Sequence, residues 1–416
     1  MSDERSPMMP TSAAEPPSVP PQAAAPVIHA EGASPLLAMP RGLRRVPEGL
    51  DEFTTEHLIL NMGPQHPSTH GVLHVLLELD GEEVIAAEAN IGYLHRGIEK
   101  LSESRKYHQV GTLLDRSDYL SGIHTETAFA LAAEKLGEIE VPEKATWLRT
   151  LMMELIRITS HVVWLGTFGM DAGAMAPFLY IMRDREMLLD VIEAVTGSRM
   201  MFNWVRPGGV HGDLTPGADD AIRKWLSTFD TYLGEWDSLL GGNEIFQMRL
   251  KGIGTLTQES ALAFGLTGAS LRGSGVDFDV RKAAPYCSYD QLDFDVPLGT
   301  TGDCWDRYTV RVEEMRQAAR LIRQLVDGIP EGETMAKMPR VYKPAAGEAY
   351  ASVESPRGEL GVHVISDGGT TPYRVRLRPP SLYNLSIIDE ALAGGLIADA
   401  VVIMASLDIV LGEIDR

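Results

Sequence analysis

The chain opens its patterned region with short alternating stretches. His57–Met62 reads as a strand, and Val72–Asp80 alternates apolar and polar residues. The turn Gly81-Glu82-Glu83 then leads into Val84–Asn90. A period of two puts one face of a strand inward and the other outward, so Glu56–Asn90 predicts a small antiparallel sheet. The loop GPQHPSTHG (Gly63–Gly71) joins its first two strands. Beyond it the period lengthens, and helices are expected over Asp118–Leu136, Pro142–Gly169, Met175–Thr196, Asp219–Leu240 and Trp305–Ile329. The second of these is the clearest. Pro142 suits a first turn, Gly169 an end, and Leu148, Leu151, Met152, Leu155, Thr159, Val162 and Gly166 fall on one face. Gly197 stops the third. From Glu354 to Leu377 short strands return around turns such as Asp367-Gly368-Gly369, and a last helix and strand close the chain.

These patterns predict an α+β fold, a mostly helical body with small antiparallel sheets near both ends. Four regions are expected: a Pro/Ala-rich disordered tail at 1–48, an N-terminal antiparallel sheet with the His loop at 49–92, a helical body at 93–345, and a C-terminal α/β segment at 346–416 that packs back on the rest. The tail is read from its prolines, interleaved with Ala and Ser, which cannot bury enough apolar surface to offset ordering entropy. A transit peptide is the weaker reading there, because basic residues are sparse before Arg41, Arg44 and Arg45. The opening MSDERSP lacks the apolar core of a signal peptide. The longest apolar stretch, Ala391–Leu411, is interrupted by Asp399 and Asp408. A spanning helix needs roughly 20 mostly apolar residues, so this stretch reads as buried core.

Composition narrows the chemistry. The net charge of −21 over 416 residues argues against a nucleic-acid role, since phosphate contacts need Lys and Arg. Two cysteines, Cys287 and Cys304, are half of what an all-cysteine iron–sulfur or zinc site requires. They are no disulfide scaffold either, so a reducing compartment is the default. No GxGxxG, GxxxxGK[ST] or GxSxG motif is present.

Several residues could carry chemistry. His66, His70 and His74 are spaced i, i+4, i+8, but Pro67 and Gly71 rule against a helix that would stack them as metal ligands. Two readings stay open: polar loop residues capping backbone groups, or a stiffened loop that holds one His at a pocket. Asp115-Arg116-Ser117-Asp118-Tyr119 reads as a capping segment, with Ser117 or Asp118 as the cap and Tyr119 in the first turn. Asp171 lies between two long helices and His211 in a turn. Arg272 and Arg357, flanked by glycine, suit carboxylate pairing. Asp277, Asp279, Asp290, Asp293 and Asp295 lack the spacing of a calcium loop.

The order of motifs adds a resemblance. GPQHPSTHG, IGYLHRGIEKL (91–101), DRSDY (115–119), GMDAGAM, RPGGVHGDL (206–214), LRGSG (271–275), YDQLDFDVPLGTTGDCWDRY (289–308), SPRGELGVHVISDG (355–368) and the ending DIVLGEIDR occur in that order. Together they resemble the D subunit of respiratory NADH:quinone oxidoreductase (complex I) over nearly everything after the Pro-rich tail. That family is similar to the nickel–iron hydrogenase large subunit, so a hydrogenase-large-subunit-like fold is implied. Hydrogenases hold metal with RxCxxC and DPCxxC. Here Asp118 and Ser121 stand in the first pair of cysteine places, and Val410 and Glu413 in the second. The resemblance therefore implies no metal in this chain and a quinone headgroup in the vacated pocket, bound by His70 and Tyr119, with Asp171 behind His70. Arg96 is implied to lie near the iron–sulfur cluster of a partner subunit; a plain salt bridge with Glu99 is the alternative. Where many members carry a His near that cluster, this chain has Met201. Met cannot take up a proton, which predicts a cluster potential less dependent on pH.

The resemblance also implies quinone (ubiquinone or menaquinone) as substrate, with FMN and NADH in distant subunits. The implied partners are the cluster-bearing B-type, C-type, ferredoxin-like I-type and membrane H-type subunits. The implied location is the cytoplasmic face of a bacterial membrane, in a proton-translocating complex. A hydrogenase-like or ferredoxin-driven complex would need the missing cysteines. A purely structural scaffold would not need His70, Tyr119 and Asp171.

Overall fold

The computed structural model describes residues 57–64 and 71–416; the Pro-rich segment 1–48, His66 and His70 lie outside the described residues. The first sheet has strands β1 (Leu58–Met62), β2 (His74–Asp80) and β3 (Glu83–Asn90), antiparallel in that order. Met62 pairs with Val75 and Leu58 with Leu79, so the two ends of the His loop meet. The alternation of β2 is realised in full. Val75, Leu77 and Leu79 point inward, and the residues between them do not. Two short helices follow, α1 (Ile98–Ser102) and α2 (Tyr107–Leu114), neither foreseen from periodicity because five to eight residues hold too little of it.

The body is built on α3 (Gly122–Gly137), α4 (Glu143–Asp171), α5 (Met175–Thr196) and α6 (Ala218–Leu239). A two-residue ribbon, β4 (Val205–Arg206) and β5 (Gly209–Val210), sits between the last two. Four short helices come next: α7 (Glu244–Leu250), α8 (Gln258–Ala263), α9 (Gly268–Gly273) and α10 (Val280–Ala283). The long α11 (Cys304–Asp327) then starts where the Asp303 side chain accepts the Asp306 amide.

The central α4 is buried on nearly every side, against α5, α11 and later helices. The predicted face from Leu148 to Gly166 is in the core. So is a second stripe of Arg149, Glu154, Arg157 and His161, which periodicity alone did not distinguish from a solvated face. The helix also runs two residues beyond Gly169, to Asp171.

The second sheet, β6 (Gly347–Ser355), β7 (Gly358–Ser366) and β8 (Arg374–Arg378), is antiparallel. It begins seven residues before the predicted strand start at Glu354. Its inner face, with Val353, Leu360, Val362, Val364, Val375 and Leu377, packs on Ala128, Phe129, Ala132 and Ala133 of α3. The alanines let helix and sheet approach closely, and each fully buried Val or Leu contributes about 1.5–3 kcal/mol.

The chain ends in α12 (Pro380–Leu385), α13 (Ile388–Leu392), α14 (Ile397–Ser406) and α15 (Leu411–Asp415). The expected closing strand is therefore a helix. Ile409–Ile414 is buried, and an apolar run buried on all sides reads alike in strand and helix. The end of the chain clamps the segment that follows β3. The Asp415 carboxylate accepts from the amides of Gly92 and Leu94 at 2.8 and 2.6 Å. The Arg416 carbonyl accepts from those of Arg96, Gly97 and Ile98.

Candidate functional site

The turn between α2 and α3 carries Asp115–Ser121. It was expected to cap the next helix, but α3 begins at Gly122, and neither Ser117 nor Asp118 caps it. Their side chains are spent elsewhere. Ser117 Oγ donates to the Leu114 carbonyl at 2.6 Å. Asp118 is fully buried, accepts from Ser121 Oγ, and pairs with Arg357 at 2.8 Å.

Arg357, from the tight turn between β6 and β7, is the hub of this cluster. It is fully buried, donates to Ser160 Oγ of α4 at 3.1 Å, and lies 3.6 Å from Asp408. The C-terminal turn Asp408–Glu413 closes the cluster. Glu413 is buried and accepts from the Ser381 amide at 3.0 Å, while its Oε2 finds no partner among the described residues. Burial first, and then Asp118, push its carboxyl up to about 8 against the pull of Arg357, so it is protonated at neutral pH. Of the positions that stand in the hydrogenase cysteine places, Asp118 and Glu413 come from segments nearly 300 residues apart and meet around the Arg357 guanidinium, with Ser121 bonded to Asp118, while the Val410 amide donates to Ser381. Among the described residues no group of three or more His, Cys, Asp or Glu side chains is arranged to hold a metal ion.

Tyr119 and Arg96 stand at the seam of this cluster. Arg96 Nη2 donates to the Gly412 carbonyl at 3.0 Å. Glu99 pairs instead with Arg374 at 3.3 Å, so the alternative reading of Arg96, a bridge to Glu99, is not formed. A Cβ placed on Gly412 would lie 2.5 Å from the Ser117 carbonyl, 3.2 Å from Arg96 and 3.4 Å from the Tyr119 ring. Only glycine lets the C-terminal turn lie this close to the DRSDY segment. The Tyr119 phenol is pushed above its ordinary value, first by burial, with Asp118 and Asp408 adding to the rise and Arg357 and Arg96 opposing it. It is a neutral hydroxyl donor at physiological pH.

The other predicted residues lie further off. Asp171 is the last residue of α4 and is half-buried; burial raises its carboxyl to about 6. No hydrogen bond among the described residues joins it to Tyr119. Met201 sits in the loop before β4 with φ of 60°, and Asn203 with 45°. That loop reaches the DRSDY segment through Asp115, which accepts the Asn203 amide at 3.3 Å. His74 is a strand residue bonded to Asn61 at 2.8 Å, and His211 is exposed. Cys304 is buried and Cys287 partly so. Asp279 pairs with Arg281, and Asp293 and Asp295 with Arg320, so these aspartates are used in ion pairs.

A larger polar core surrounds Arg272, whose carboxylate pairing its glycine-flanked setting suggests; the other members are not foreseen from the sequence. Arg272 bridges Glu314 and Glu354, and Arg281 bridges Asp279 and Glu154. Arg157 bonds Glu154 and the Glu354 carbonyl at 3.1 and 2.6 Å. His161 meets Glu314 at 3.0 Å, and all of these side chains are buried. Charged residues spaced three and four apart inside the otherwise apolar α4 were the signal available. A buried carboxylate or guanidinium is tolerable only when paired.

Comparison with known proteins assigns the chain. The profile of the family described as respiratory-chain NADH dehydrogenase, 49 Kd subunit, matches residues 171–346 and 338–416. An NADH-quinone oxidoreductase D subunit of Solibacter usitatus is 48% identical over 359 residues, covering 86% of this chain and 97% of that protein. The NADH-quinone oxidoreductase D subunits of Desulforamulus reducens and Carboxydothermus hydrogenoformans are 48% and 47% identical, each over 87% of this chain and 99% of their own length. This is a component of a multi-subunit respiratory oxidoreductase. The chain belongs to the 49 kDa (D-type) subunit family of respiratory-chain NADH dehydrogenase.

Proposed function

We propose that the chain forms one wall of the quinone-headgroup pocket of a proton-translocating NADH:quinone oxidoreductase and supplies protons for reduction of quinone to quinol. The observation that carries this reading is the seam at Gly412. There a neutral Tyr119 phenol stands beside Arg96 and above a buried carboxylate–guanidinium cluster. Reduction of a quinone takes two electrons and two protons. Its carbonyl oxygens become strong acceptors only as electrons arrive, so a phenol whose ordinary value near 10 is raised further by burial keeps its proton until then. Tyr119 would donate at one oxygen and His70 at the other. Asp171 would fix the tautomer of the His70 ring and stabilise its protonated form. Electrons would come from an iron–sulfur cluster in the neighbouring B-type subunit, with Arg96 and the Met201 loop facing it.

C-type, I-type and H-type subunits would complete the surroundings of a chain lying peripherally on the cytoplasmic side of a bacterial membrane. No helix among the described residues is long and apolar enough to cross a membrane. The test is Tyr119→Phe in the assembled complex. Quinone reductase activity should fall by about 10²-fold or more, while NADH oxidation by a hydrophilic artificial acceptor persists. Undiminished quinone turnover would remove Tyr119 from the reaction.

A further inference from the structure

Away from the Arg357 cluster, two carboxyl groups are buried beside each other, and among the described residues neither forms an ion pair. Asp115 and Glu126 are 0% and 1% exposed, and their side chains are within hydrogen-bonding reach. Every other oxygen of the pair that has a partner is used on one loop. Glu126 Oε2 accepts from the Trp204 and Val205 amides at 3.0 and 2.8 Å. Asp115 Oδ2 accepts from Asn203. Asp115 Oδ1 and Glu126 Oε1 find no donor among the described residues. Two neighbouring carboxyls that each bury an oxygen without a donor are satisfied by one hydrogen shared between them, since an unmade bond there costs the full desolvation penalty. The seat is shaped for this. A Cβ on Gly122, the first residue of α3, would lie 1.7 Å from Asp115 Oδ1, so only glycine lets the carboxyl rest there.

We propose that Asp115 and Glu126 share one proton and act together as positioning residues, latching the Met201–Val205 loop onto the segment that carries Tyr119. The latch joins the two stretches assigned above to the cluster side and the quinone side of the site. Its place in catalysis therefore rests on that assignment, though its existence does not. The charged groups facing the pair are Arg116 and Asp118, both on the same turn as Asp115. The loop faces it with the backbone N–H groups of Asn203, Trp204 and Val205. Burial is the largest influence on both carboxyls and raises both above the ordinary carboxylate range; each also faces a carboxyl neighbour. The pair thus keeps a proton at neutral pH that water-exposed carboxyls would release. Opening the latch releases that proton. The opening constant should therefore rise with pH, by at most about tenfold per unit, for as long as the closed pair holds its proton.

Hydrogen exchange of the assembled complex over about pH 6.5–8.5 tests this, with rates corrected for intrinsic exchange. Protection of the Trp204 and Val205 amides should fall as pH rises in the native protein, by at most about tenfold per pH unit, while α4 amides stay flat. E126Q supplies an amide N–H in place of the shared hydrogen and a carbonyl oxygen for the two backbone donors. It should retain protection and lose the slope. E126A should lose the protection at every pH. The alkaline side of the quinone-reductase pH profile should flatten in E126Q as well. A pH-independent protection in the native protein, or an unchanged slope in E126Q, would overturn the latch. No quinone enters the exchange measurement, so a Tyr119→Phe variant that stays active would sink the pocket assignment and leave this result standing.

Discussion

Arg357→Met is the perturbation that the structure makes most quantitative. The guanidinium is fully buried and bonded to Asp118 at 2.8 Å and Ser160 at 3.1 Å, with Asp408 at 3.6 Å. Met fills most of the volume but leaves Asp118 without its cation. Among the described residues Asp408 keeps Arg311, at 4.0 Å, as its remaining ion-pair partner. Breaking a buried pair on one side costs about 3–5 kcal/mol. At about 1.4 kcal/mol per decade, that is roughly two to three and a half decades in the local opening equilibrium. Hydrogen exchange of the amides from Asp118 to His124 in the assembled complex reads this directly. Removing the stranded charge as well, in R357M/D118N, should recover part of the loss, because an uncharged amide is far less expensive to bury than an unpaired carboxylate. A single variant within about 1 kcal/mol of the native protein, or a double variant no better than the single, would refute the account of Arg357 as the cation that makes this cluster tolerable.

Three further outcomes are expected. Gly412→Ala forces a Cβ to 2.5 Å from the Ser117 carbonyl, a backbone atom that cannot swing aside. It should cost about 1–3 kcal/mol and lower quinone turnover by moving Tyr119, as measured by thermal inactivation alongside activity. Glu413→Gln replaces a carboxyl already protonated at neutral pH. The raised value means the folded chain holds a proton the unfolded chain releases, so native stability falls as pH rises from the ordinary carboxyl range to about 8; denaturation midpoints of E413Q across that window should lack this contribution. Asp171, raised to about 6 by burial, is ionised above that pH. Asp171→Asn should lower quinone turnover and remove the acid limb near pH 6 from the activity profile, which steady-state rates at stepped pH will reveal.

Periodicity and punctuation were enough to read the first sheet, the helices α4, α5, α6 and α11, and the α+β class. Each depends on a local pattern: alternation in Val72–Asp80, or a 3.6-residue stripe such as those bounded by Pro142 or Gly197. The start of α3 was misplaced because Asp118 looks like a helix cap in sequence. In the fold its carboxylate is claimed by Arg357, 239 residues away. The closing strand was misread because Ile409–Ile414 is buried on every side and so carries no period. The motif order singled out Tyr119, Arg96 and the replaced hydrogenase cysteine positions. Only the tertiary structure shows that Asp118 and Glu413 converge on Arg357, that Gly412 lets the C-terminal turn lie against the DRSDY segment, and that Asp115 and Glu126 are buried as neighbours at the start of α3. Local spacing encodes which face of an element is apolar, and a chain reads that by itself. Which buried charge meets which depends on contacts hundreds of residues apart, where burial removes the water that would otherwise make the choice of partner immaterial.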